Sequence, residues 1–227
     1  MSIVTVQDVT RDYQQGTHTV RALRGVSLSV EEGEFIALMG PSGSGKTTLL
    51  NLIGGLDNPT SGTLTIEDQE LSSLSPAELG DLRRDRLGFV FQSYNLVPVL
   101  TAVENTEMVL LLQGMGADER RARAMETLKN VGLEGMEHRR PSELSGGQQQ
   151  RVAVARAIAS KPALVLADEP TANLDSETGT ELIALMRSLN DDHGITFVFA
   201  THDPKVMNAA RRVVTMVDGN IHEDLRK

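Results

Sequence analysis

The sequence predicts an α/β fold with a mostly parallel β-sheet core, an antiparallel β part at the N-terminus and an inserted helical part. The first observation is a set of short apolar runs that do not alternate with polar residues, at Phe35–Met39, Ala163–Ala167 and Ile195–Ala200. Such runs are typical of strands that are buried on both faces of a parallel sheet. The second observation is that a helix-like pattern follows each run, as a strand–helix–strand crossover requires.

The third observation is a change of pattern at the two ends of the chain. Apolar and polar residues alternate at Ile3–Val6 and Val26–Val30, and the turn-prone residues Glu31–Gly33 follow. Alternation with a period of two predicts antiparallel strands, which we place beside the parallel core. Near the C-terminus, the apolar run Val213–Val217 leads into the turn-prone Asp218–Asn220, which predicts a hairpin.

Capping residues predict where several helices begin and end. Asp203 and Pro204 predict a helix after the last apolar run, because Asp caps helix N-termini and Pro fits the first helical position. Ser176 is the candidate cap of a helix whose apolar residues recur at helical spacing. Asp118 is the candidate start of another helix, which is predicted to end at Gly132.

The domain organisation follows from where strand-like runs are missing. Residues 93–160 carry helical patterns and no apolar run comparable with those of the predicted strands. We therefore expect a helical subdomain at 93–160, inserted into a catalytic core formed by 1–92 and 161–227. The chain as a whole, 1–227, is expected to be one domain, because domain lengths vary widely and 227 residues can form a single one.

The composition excludes several classes of protein. Of 227 residues, 40% are hydrophobic and 23% are charged, which are ordinary values for a folded chain. No apolar run approaches the roughly 18 residues of a membrane span, and no targeting peptide is visible, so we expect a cytoplasmic chain without direct membrane insertion. The net charge of −9 disfavours nucleic acid as a partner, and the absence of Cys excludes disulfides and thiolate zinc sites.

A glycine-rich loop follows the first apolar run and fits the P-loop pattern. It consists of Gly40, Pro41, Ser42, Gly43, Ser44, Gly45, Lys46 and Thr47, with Thr48 directly after it. Glycines let backbone amides approach phosphate oxygens, Lys46 brings a cation to the outer phosphates, and Thr47 offers a hydroxyl to Mg²⁺. The alternative is a plain Gly/Ser-rich turn. The strand before the loop and the helix after it favour the P-loop, and hence a P-loop NTPase that binds a nucleotide with Mg²⁺.

Two carboxylates end the second apolar run. Asp168 is the candidate second acid that holds the metal, and Glu169 is the candidate general base for an attacking water. Taken alone, the Asp168–Pro170 segment could equally be a solvated turn. Its position at the sheet edge that also carries the P-loop favours the catalytic interpretation.

His202 follows the third apolar run, at the edge where open parallel sheets place their ligands. From that position it can reach a phosphate. A lone His is more often a turn residue or a helix cap than a catalytic partner. Only its position separates His202 from the other histidines of the chain.

The string Leu144–Gln148 decides the class of NTPase. Taken locally, Ser145 could simply cap the helix that follows. The string also resembles the signature of ABC transporter ATPase subunits, and the other motifs of that family occur in the same order along the chain. The resemblance implies a RecA-like P-loop NTPase core with an inserted helical subdomain.

The resemblance also implies a role for several further residues. Tyr13 is similar to the aromatic residue that stacks on adenine, and Gln92 to the glutamine that contacts the metal and responds to the membrane partner. Asp175 lies in a segment that resembles the loop touching the opposite subunit, and His202 resembles the switch histidine beside the γ-phosphate. The residues implied to contact ATP from the signature are Ser145, Gly146, Gly147 and Gln148.

In this family two cassettes pair head to tail. The resemblance therefore implies a homodimer formed on ATP, in which Ser145 and Gly147 of one chain contact the γ-phosphate bound at Lys46 of the other. It implies ATP hydrolysis with Mg²⁺, coupled to a separate transmembrane permease. The chain would then sit peripherally on the cytoplasmic face of the inner membrane through that permease.

Three segments narrow the resemblance further. Residues 54–62, 89–98 and 140–144 resemble the group of lipoprotein-releasing (LolD-type) and macrolide-exporter (MacB-type) ATPases, which work with mechanotransmitting permeases. MacB-type chains are fused to their membrane domain, so the end at Lys227 favours a free LolD-type subunit. Ala172 departs from the glycine common in this group, at a position that is not catalytic.

Two alternatives within the superfamily stay open at this point. A division-type ATPase would drive a cell-wall enzyme without moving cargo, and its membrane partner would distinguish it. A non-transport ABC ATPase acting on DNA or the ribosome usually carries coiled-coil insertions, zinc cysteines or tandem cassettes, and this sequence shows none of them. A generic P-loop kinase is disfavoured because it has no use for Leu144–Gln148. The sequence does not identify the cargo.

Overall fold

The protein is built on two β-sheets with helices around them. The computed structural model describes the backbone of residues 1–227 and every side chain except that of Gln15. The strands are β1 (Ser2–Gln15), β2 (His18–Glu31), β3 (Phe35–Met39), β4 (Ser61–Ile66), β5 (Gln69–Glu70), β6 (Leu87–Phe91), β7 (Leu164–Asp168), β8 (Thr196–Ala200), β9 (Arg212–Val217) and β10 (Asn220–Arg226). The helices are α1 (Lys46–Ile53), α2 (Pro76–Arg86), α3 (Ala102–Leu112), α4 (Ala117–Asn130), α5 (Gly146–Ile158), α6 (Ser176–His193) and α7 (Pro204–Ala209).

The larger sheet contains the predicted parallel core. Its strand order is β10-β9-β3-β8-β7-β6, and all neighbours pair in parallel except the terminal hairpin of β9 and β10. The smaller sheet has the order β2-β1-β4-β5 and is antiparallel. The predicted parallel runs, N-terminal antiparallel strands and C-terminal hairpin are therefore confirmed.

The parallel strands are buried on both faces because they separate two hydrophobic cores. On β3, Phe35 and Ala37 pack into the core shared with α5 and α6, whereas Ile36 and Leu38 pack into the core shared with α1 and the antiparallel sheet. All four side chains have no solvent exposure. This two-sided burial explains why the strand sequence does not alternate.

The helix caps agree with the sequence in part. Asp203 caps α7 and Pro204 occupies its first turn, as predicted. The predicted cap Ser176 is wrong by one residue, since the Asp175 carboxylate accepts hydrogen bonds from the Glu177 and Thr178 backbone N–H groups and so caps α6. The predicted start of α4 at Asp118 is also wrong, because the helix begins at Ala117 and Asp118 lies in its first turn.

The segment between β6 and β7 is helical, as the sequence analysis expects. It contains α3, α4 and α5, which pack on one another, and α5 also packs against β6. The subdomain boundaries at 93–160 stay a prediction. In the part of the chain that the structure describes, we find no helix with the length and apolar character of a membrane span.

Candidate functional site

Four neighbouring parallel strands end at one edge of the larger sheet. The strands are β3, β8, β7 and β6, in that spatial order. The predicted site residues that follow them are Gly40 after β3, His202 after β8, Glu169 after β7 and Gln92 after β6. The fold therefore brings together four parts of the predicted site that are widely separated in sequence.

The glycine-rich loop packs tightly against β9 and β2. A Cβ at Gly40, where φ is 144°, would lie 2.2 Å from the Met216 backbone oxygen. A Cβ at Gly45, where φ is 101°, would lie 2.8 Å from the Ala22 backbone oxygen. Only glycine fits these two positions, so the close contacts with β9 and β2 fix one side of the loop.

Lys46 and α1 place positive charge inside this loop. The Lys46 ammonium donates hydrogen bonds to the Gly40 oxygen over 2.8 Å and to the Pro41 oxygen over 2.9 Å. Helix α1 begins at Lys46 and buries Leu49, Leu52 and Ile53, so that its N-terminus points into the loop. A helix N-terminus beside an ammonium forms an anion site that suits phosphate.

Thr47 and Asp168 meet at the mouth of the loop. The Thr47 hydroxyl donates to Asp168 Oδ1 over 3.1 Å. Burial raises the pKa of the Asp168 carboxyl, and the nearby Glu169 charge adds to this effect, while the Thr47 hydrogen bond opposes it. A hydroxyl and a carboxylate are the hard oxygen ligands that Mg²⁺ prefers, so this pair fits a magnesium ion.

Glu169 is held in an unusual backbone conformation. Its φ is 45°, and its N–H donates to the Ala200 oxygen over 2.9 Å, which turns the chain sharply at the end of β7. His202 Nδ1 lies 2.7 Å from Glu169 Oε1, and the Thr201 hydroxyl donates to Glu169 Oε2 over 2.8 Å. Both carboxylate oxygens are thus oriented by the loop that follows β8. A carboxylate fixed in this way is suited to accept a proton from water.

Gln92 is paired with a residue of the loop after β7. Its side-chain amide donates to Asn173 Oδ1 over 3.4 Å, and Asn173 Nδ2 donates back to the Gln92 backbone oxygen over 3.0 Å. The pair connects the loops that follow β6 and β7. Gln92 therefore lies on the same sheet edge as the glycine-rich loop, with its side chain turned toward Asn173, and its contact with a metal stays a prediction.

Tyr13 lies on the antiparallel sheet rather than on the catalytic edge. Its hydroxyl donates to Asp57 Oδ2 over 2.7 Å, Arg11 forms two hydrogen bonds to the same carboxylate, and the Arg11 guanidinium lies 4.5 Å from the Tyr13 ring centroid. Tyr13 pairs with Val20 on β2, two residues before Ala22, which lies against the glycine-rich loop. The β2 partner of Tyr13 is therefore two residues, or roughly 7 Å along the strand, from the residue that contacts the loop.

The signature segment forms the first turn of α5. The Ser145 hydroxyl accepts a hydrogen bond from the Gln148 N–H over 3.3 Å, and Gln148 Oε1 accepts from the Ser145 N–H over 2.9 Å. Ser145 thus caps α5, and its side chain is also exposed to solvent. A Cβ at Gly147 would lie 2.3 Å from Thr178, so this turn packs on the start of α6.

Comparison with known proteins decides the family. Residues 23–172 match the sequence profile described as ABC transporter. The chain belongs to the ABC transporter family. An uncharacterized ABC transporter ATP-binding protein of Methanocaldococcus jannaschii, MJ0796, is 46% identical over 226 residues, which cover 98% of this chain and 96% of the relative. The macrolide export ATP-binding/permease protein MacB of Rhodopirellula baltica is 46% identical over 227 residues, which cover 99% of this chain and 33% of MacB.

The solved structures agree with the ABC transporter assignment. A dimeric structure of MJ0796 in a post-hydrolysis state bound to ADP and Pi has a TM-score of 0.91 and 45% identity, and it covers 98% of both chains. The predicted fold class, the family resemblance that includes MacB, and the ATPase activity are confirmed. The chain spans about a third of the length of its MacB relatives.

Sequence analysis missed three residues that position the predicted site of this ABC cassette. Thr201 orients Glu169, and Arg11 and Asp57 hold Tyr13. The position of Thr201 directly before His202 was an available signal. Arg11 is separated from Asp57 by 46 residues, and nothing in the local pattern indicates their contact.

Proposed function

We propose that this ABC transporter ATPase closes as a head-to-tail homodimer around two MgATP and drives a separate membrane permease. The observation that carries the proposal is the division of the predicted site between two surfaces. The loop with Lys46 and the carboxylate Glu169 share one sheet edge, whereas Ser145 is solvent-facing on α5 and bonds only within its own capping turn among the described contacts. A second chain can supply the missing half of each site.

The roles proposed at the nucleotide combine the geometry with the family resemblance. The loop Gly40–Thr48 holds the phosphates through its amides and Lys46, and Tyr13 stacks on adenine. Thr47, Asp168 and Gln92 would hold Mg²⁺, which would supply positive charge that offsets the charge of the phosphates.

Glu169 is the proposed general base for hydrolysis. It accepts a proton from a water whose oxygen bonds to the γ-phosphorus, while the bond from that phosphorus to the β–γ bridging oxygen breaks. Thr201 and His202 each hold one oxygen of the carboxylate, so the base is aimed before ATP arrives. His202, whose side chain is 75% exposed, can also extend toward the γ-phosphate.

The second half of each site comes from the partner subunit. The Ser145 hydroxyl, the Gly147 amide and the N-terminus of α5 form an anion-binding surface that suits the γ-phosphate held at Lys46 of the partner subunit. Asp175 lies next to this turn, since the Thr178 hydroxyl donates to Asp175 Oδ2 over 2.6 Å and Thr178 packs on Gly147. Removal of the γ-phosphate by hydrolysis removes the contact that joins the chains. The solved structures of the similar MJ0796 are dimeric, which supports an assembly of two chains.

A groove next to Gln92 is the proposed docking surface for the permease. This open groove has a volume of about 490 Å³ between α2, α3, α5 and β6, and Phe91 and Asn95 are the lining residues nearest to Gln92 in sequence. Its lining also includes Arg83, Arg84 and Arg156. At its rim Leu56 and Leu112 are 49% and 67% exposed. We propose that a short amphipathic helix of the permease fills this groove, with its apolar face on these leucines.

Complementation between two inactive variants tests the shared site. Lys46→Ala removes the phosphate ammonium, and Ser145→Arg fills the surface that faces the partner, so each homodimer should be inactive. In the mixed dimer, one site combines intact Lys46 with intact Ser145. We expect a mixture of the two variants to regain ATP hydrolysis that neither has alone, measured as steady-state phosphate release. No recovery, with both variants folded and Ser145→Arg still binding ATP, would refute the two-chain site.

A further inference from the structure

Gln150 is a buried amide in the second turn of α5. Its side chain has no solvent exposure, and its Nε2 donates to the Pro170 backbone oxygen over 2.7 Å and to the Phe91 backbone oxygen over 3.3 Å. Its Oε1 is also buried and has no hydrogen-bond partner within the described part of the chain. A buried polar group costs free energy unless its hydrogen bonds compensate. The two hydrogen bonds of the amide nitrogen offset the cost of burying the Gln150 side chain.

The two carbonyl groups that Gln150 binds flank the catalytic edge. Phe91 is the last residue of β6 and directly precedes Gln92. Pro170 directly follows Glu169, beyond the end of β7. Phe91 faces Asp168 in the register of these two parallel strands, so one amide bridges the backbone of both strand ends.

The bond to Pro170 is one of several that fix the segment after β7. The Ala172 N–H also donates to the Glu169 backbone oxygen over 3.2 Å, and the Thr171 hydroxyl donates to Asp203 over 2.6 Å. Proline has no N–H, so its carbonyl is the only backbone hydrogen-bonding group of that residue. Glu169, immediately before it, has a φ of 45°, which a non-glycine residue adopts only when its surroundings hold it there. The Gln150 amide holds the downstream side of Glu169, and the Glu169 N–H to the Ala200 oxygen holds the upstream side.

We propose that Gln150 is a positioning residue for ATP hydrolysis, which fixes the backbone beside Glu169 and Gln92 to α5, the helix that Ser145 caps. The inference rests on the proposed roles of Glu169 as base and Ser145 as the surface for the partner's nucleotide. Ser145 and Gln150 are about 7.5 Å apart along the axis of α5. A shift of α5 caused by nucleotide bound to the partner subunit therefore moves the backbone around this chain's own base, which links the two sites of the dimer.

The variant Gln150→Met tests this role, because methionine keeps the length of the side chain and removes both donors. Asn190→Leu is the matched control. Asn190 is 3% exposed, its Nδ2 donates to the Gly33 oxygen over 2.9 Å and to the Ile195 oxygen over 2.7 Å, and its Oδ1 also lacks a partner. Its buried amide therefore also bridges two backbone carbonyl groups, but at the opposite edge of the sheet, where β8 begins.

We expect Gln150→Met to lower kcat for ATP about 10- to 100-fold, as a displaced catalytic group does. The Kd for ATP should stay within about twofold of wild type, because the phosphate loop is untouched. Asn190→Leu should lower the Tm by a similar amount and leave kcat near wild type. The readouts are phosphate release, equilibrium ATP binding and thermal unfolding of the full chain.

Two results would overturn the proposal. One is a Gln150→Met kcat close to wild type, and the other is a loss of kcat in both variants in proportion to their loss of Tm. If Gln150→Met does not fold, Gln150→Leu, which also lacks the amide donors and adds no charge to this buried position, is judged by the same criteria. Glu169→Gln, measured in parallel, distinguishes failure of the Gln150 proposal from failure of the base role on which it rests. If Glu169→Gln also retains full activity, Glu169 is not the base.

Discussion

The sharpest test of the catalytic edge is the replacement Glu169→Gln. Glutamine has nearly the same shape as glutamate but no charge with which to accept a proton. Its amide oxygen can still accept from His202, while its NH₂ can face the hydroxyl of Thr201, which accepts as well as donates. The substitution should therefore preserve the fold and the P-loop and remove only the base.

The expected magnitude follows from this loss of a positioned base. General base catalysis contributes about 10²- to 10⁴-fold to a rate, or about 3 to 5 kcal/mol of the barrier. Turnover of Glu169→Gln should fall by that factor while ATP binding persists. Since the γ-phosphate that joins the chains is then cleaved slowly, ATP-bound dimers should accumulate.

The assay combines steady-state phosphate release with gel filtration in the presence of MgATP. Glu119→Gln, on the exposed surface of α4, is the control for loss of one carboxylate charge. Turnover of Glu169→Gln within about twofold of wild type would refute Glu169 as base. Loss of ATP binding together with turnover would mean that Glu169 supports the nucleotide site rather than the chemical step.

Three further predictions address other parts of the molecule. Tyr13→Ala should weaken ATP binding about 10- to 100-fold with little change in kcat, because base stacking contributes about 1–3 kcal/mol, and a normal Kd in an equilibrium titration would exclude the stacking role. Asp224→Asn should lower the free energy of unfolding by about 1 kcal/mol at neutral pH, because Asp224 accepts two hydrogen bonds from buried Arg212. The Arg212 hydrogen bonds hold the pKa of Asp224 below its usual range, so this stabilisation is present above the ordinary Asp pKa and is lost as pH falls through the lowered one; a wild-type advantage in urea unfolding that persists at low pH would contradict it. Leu112→Glu should leave the ATPase of the isolated chain unchanged but abolish co-purification with its permease, whereas Leu225→Glu, on the far edge strand, should not.

The sequence predicted the parts of the fold whose patterns are local. The runs at β3, β7 and β8 were found because two-sided burial leaves no alternation. Strand β6 was missed, since it begins directly after α2 without a turn signal and contains Gly88. The structure explains that glycine: a Cβ there would lie 2.4 Å from the Ala157 oxygen of α5. Close approach of a distant helix has no signature in the neighbouring residues.

The candidate site likewise has parts that contiguous sequence predicts and parts that depend on contacts between distant residues. The P-loop residues and Asp168 could be predicted because their spacing and the preceding strands are features of contiguous sequence. The contacts that orient them could not, because Gln150 is 59 residues from Phe91 and Thr201 is 32 residues from Glu169. Such contacts arise only when the strand order of the sheet is known.

The hydrogen bonds of Lys46 to the Gly40 and Pro41 oxygens have a consequence for nucleotide selectivity. The ammonium already donates to two backbone carbonyl oxygens. A ligand therefore gains binding free energy from Lys46 only if its own oxygens are stronger acceptors than these carbonyls. A β- or γ-phosphate carries charged oxygens to that point and makes the exchange favourable. AMP and adenosine have no phosphate at that position, so we expect the loop to bind them more weakly than ATP.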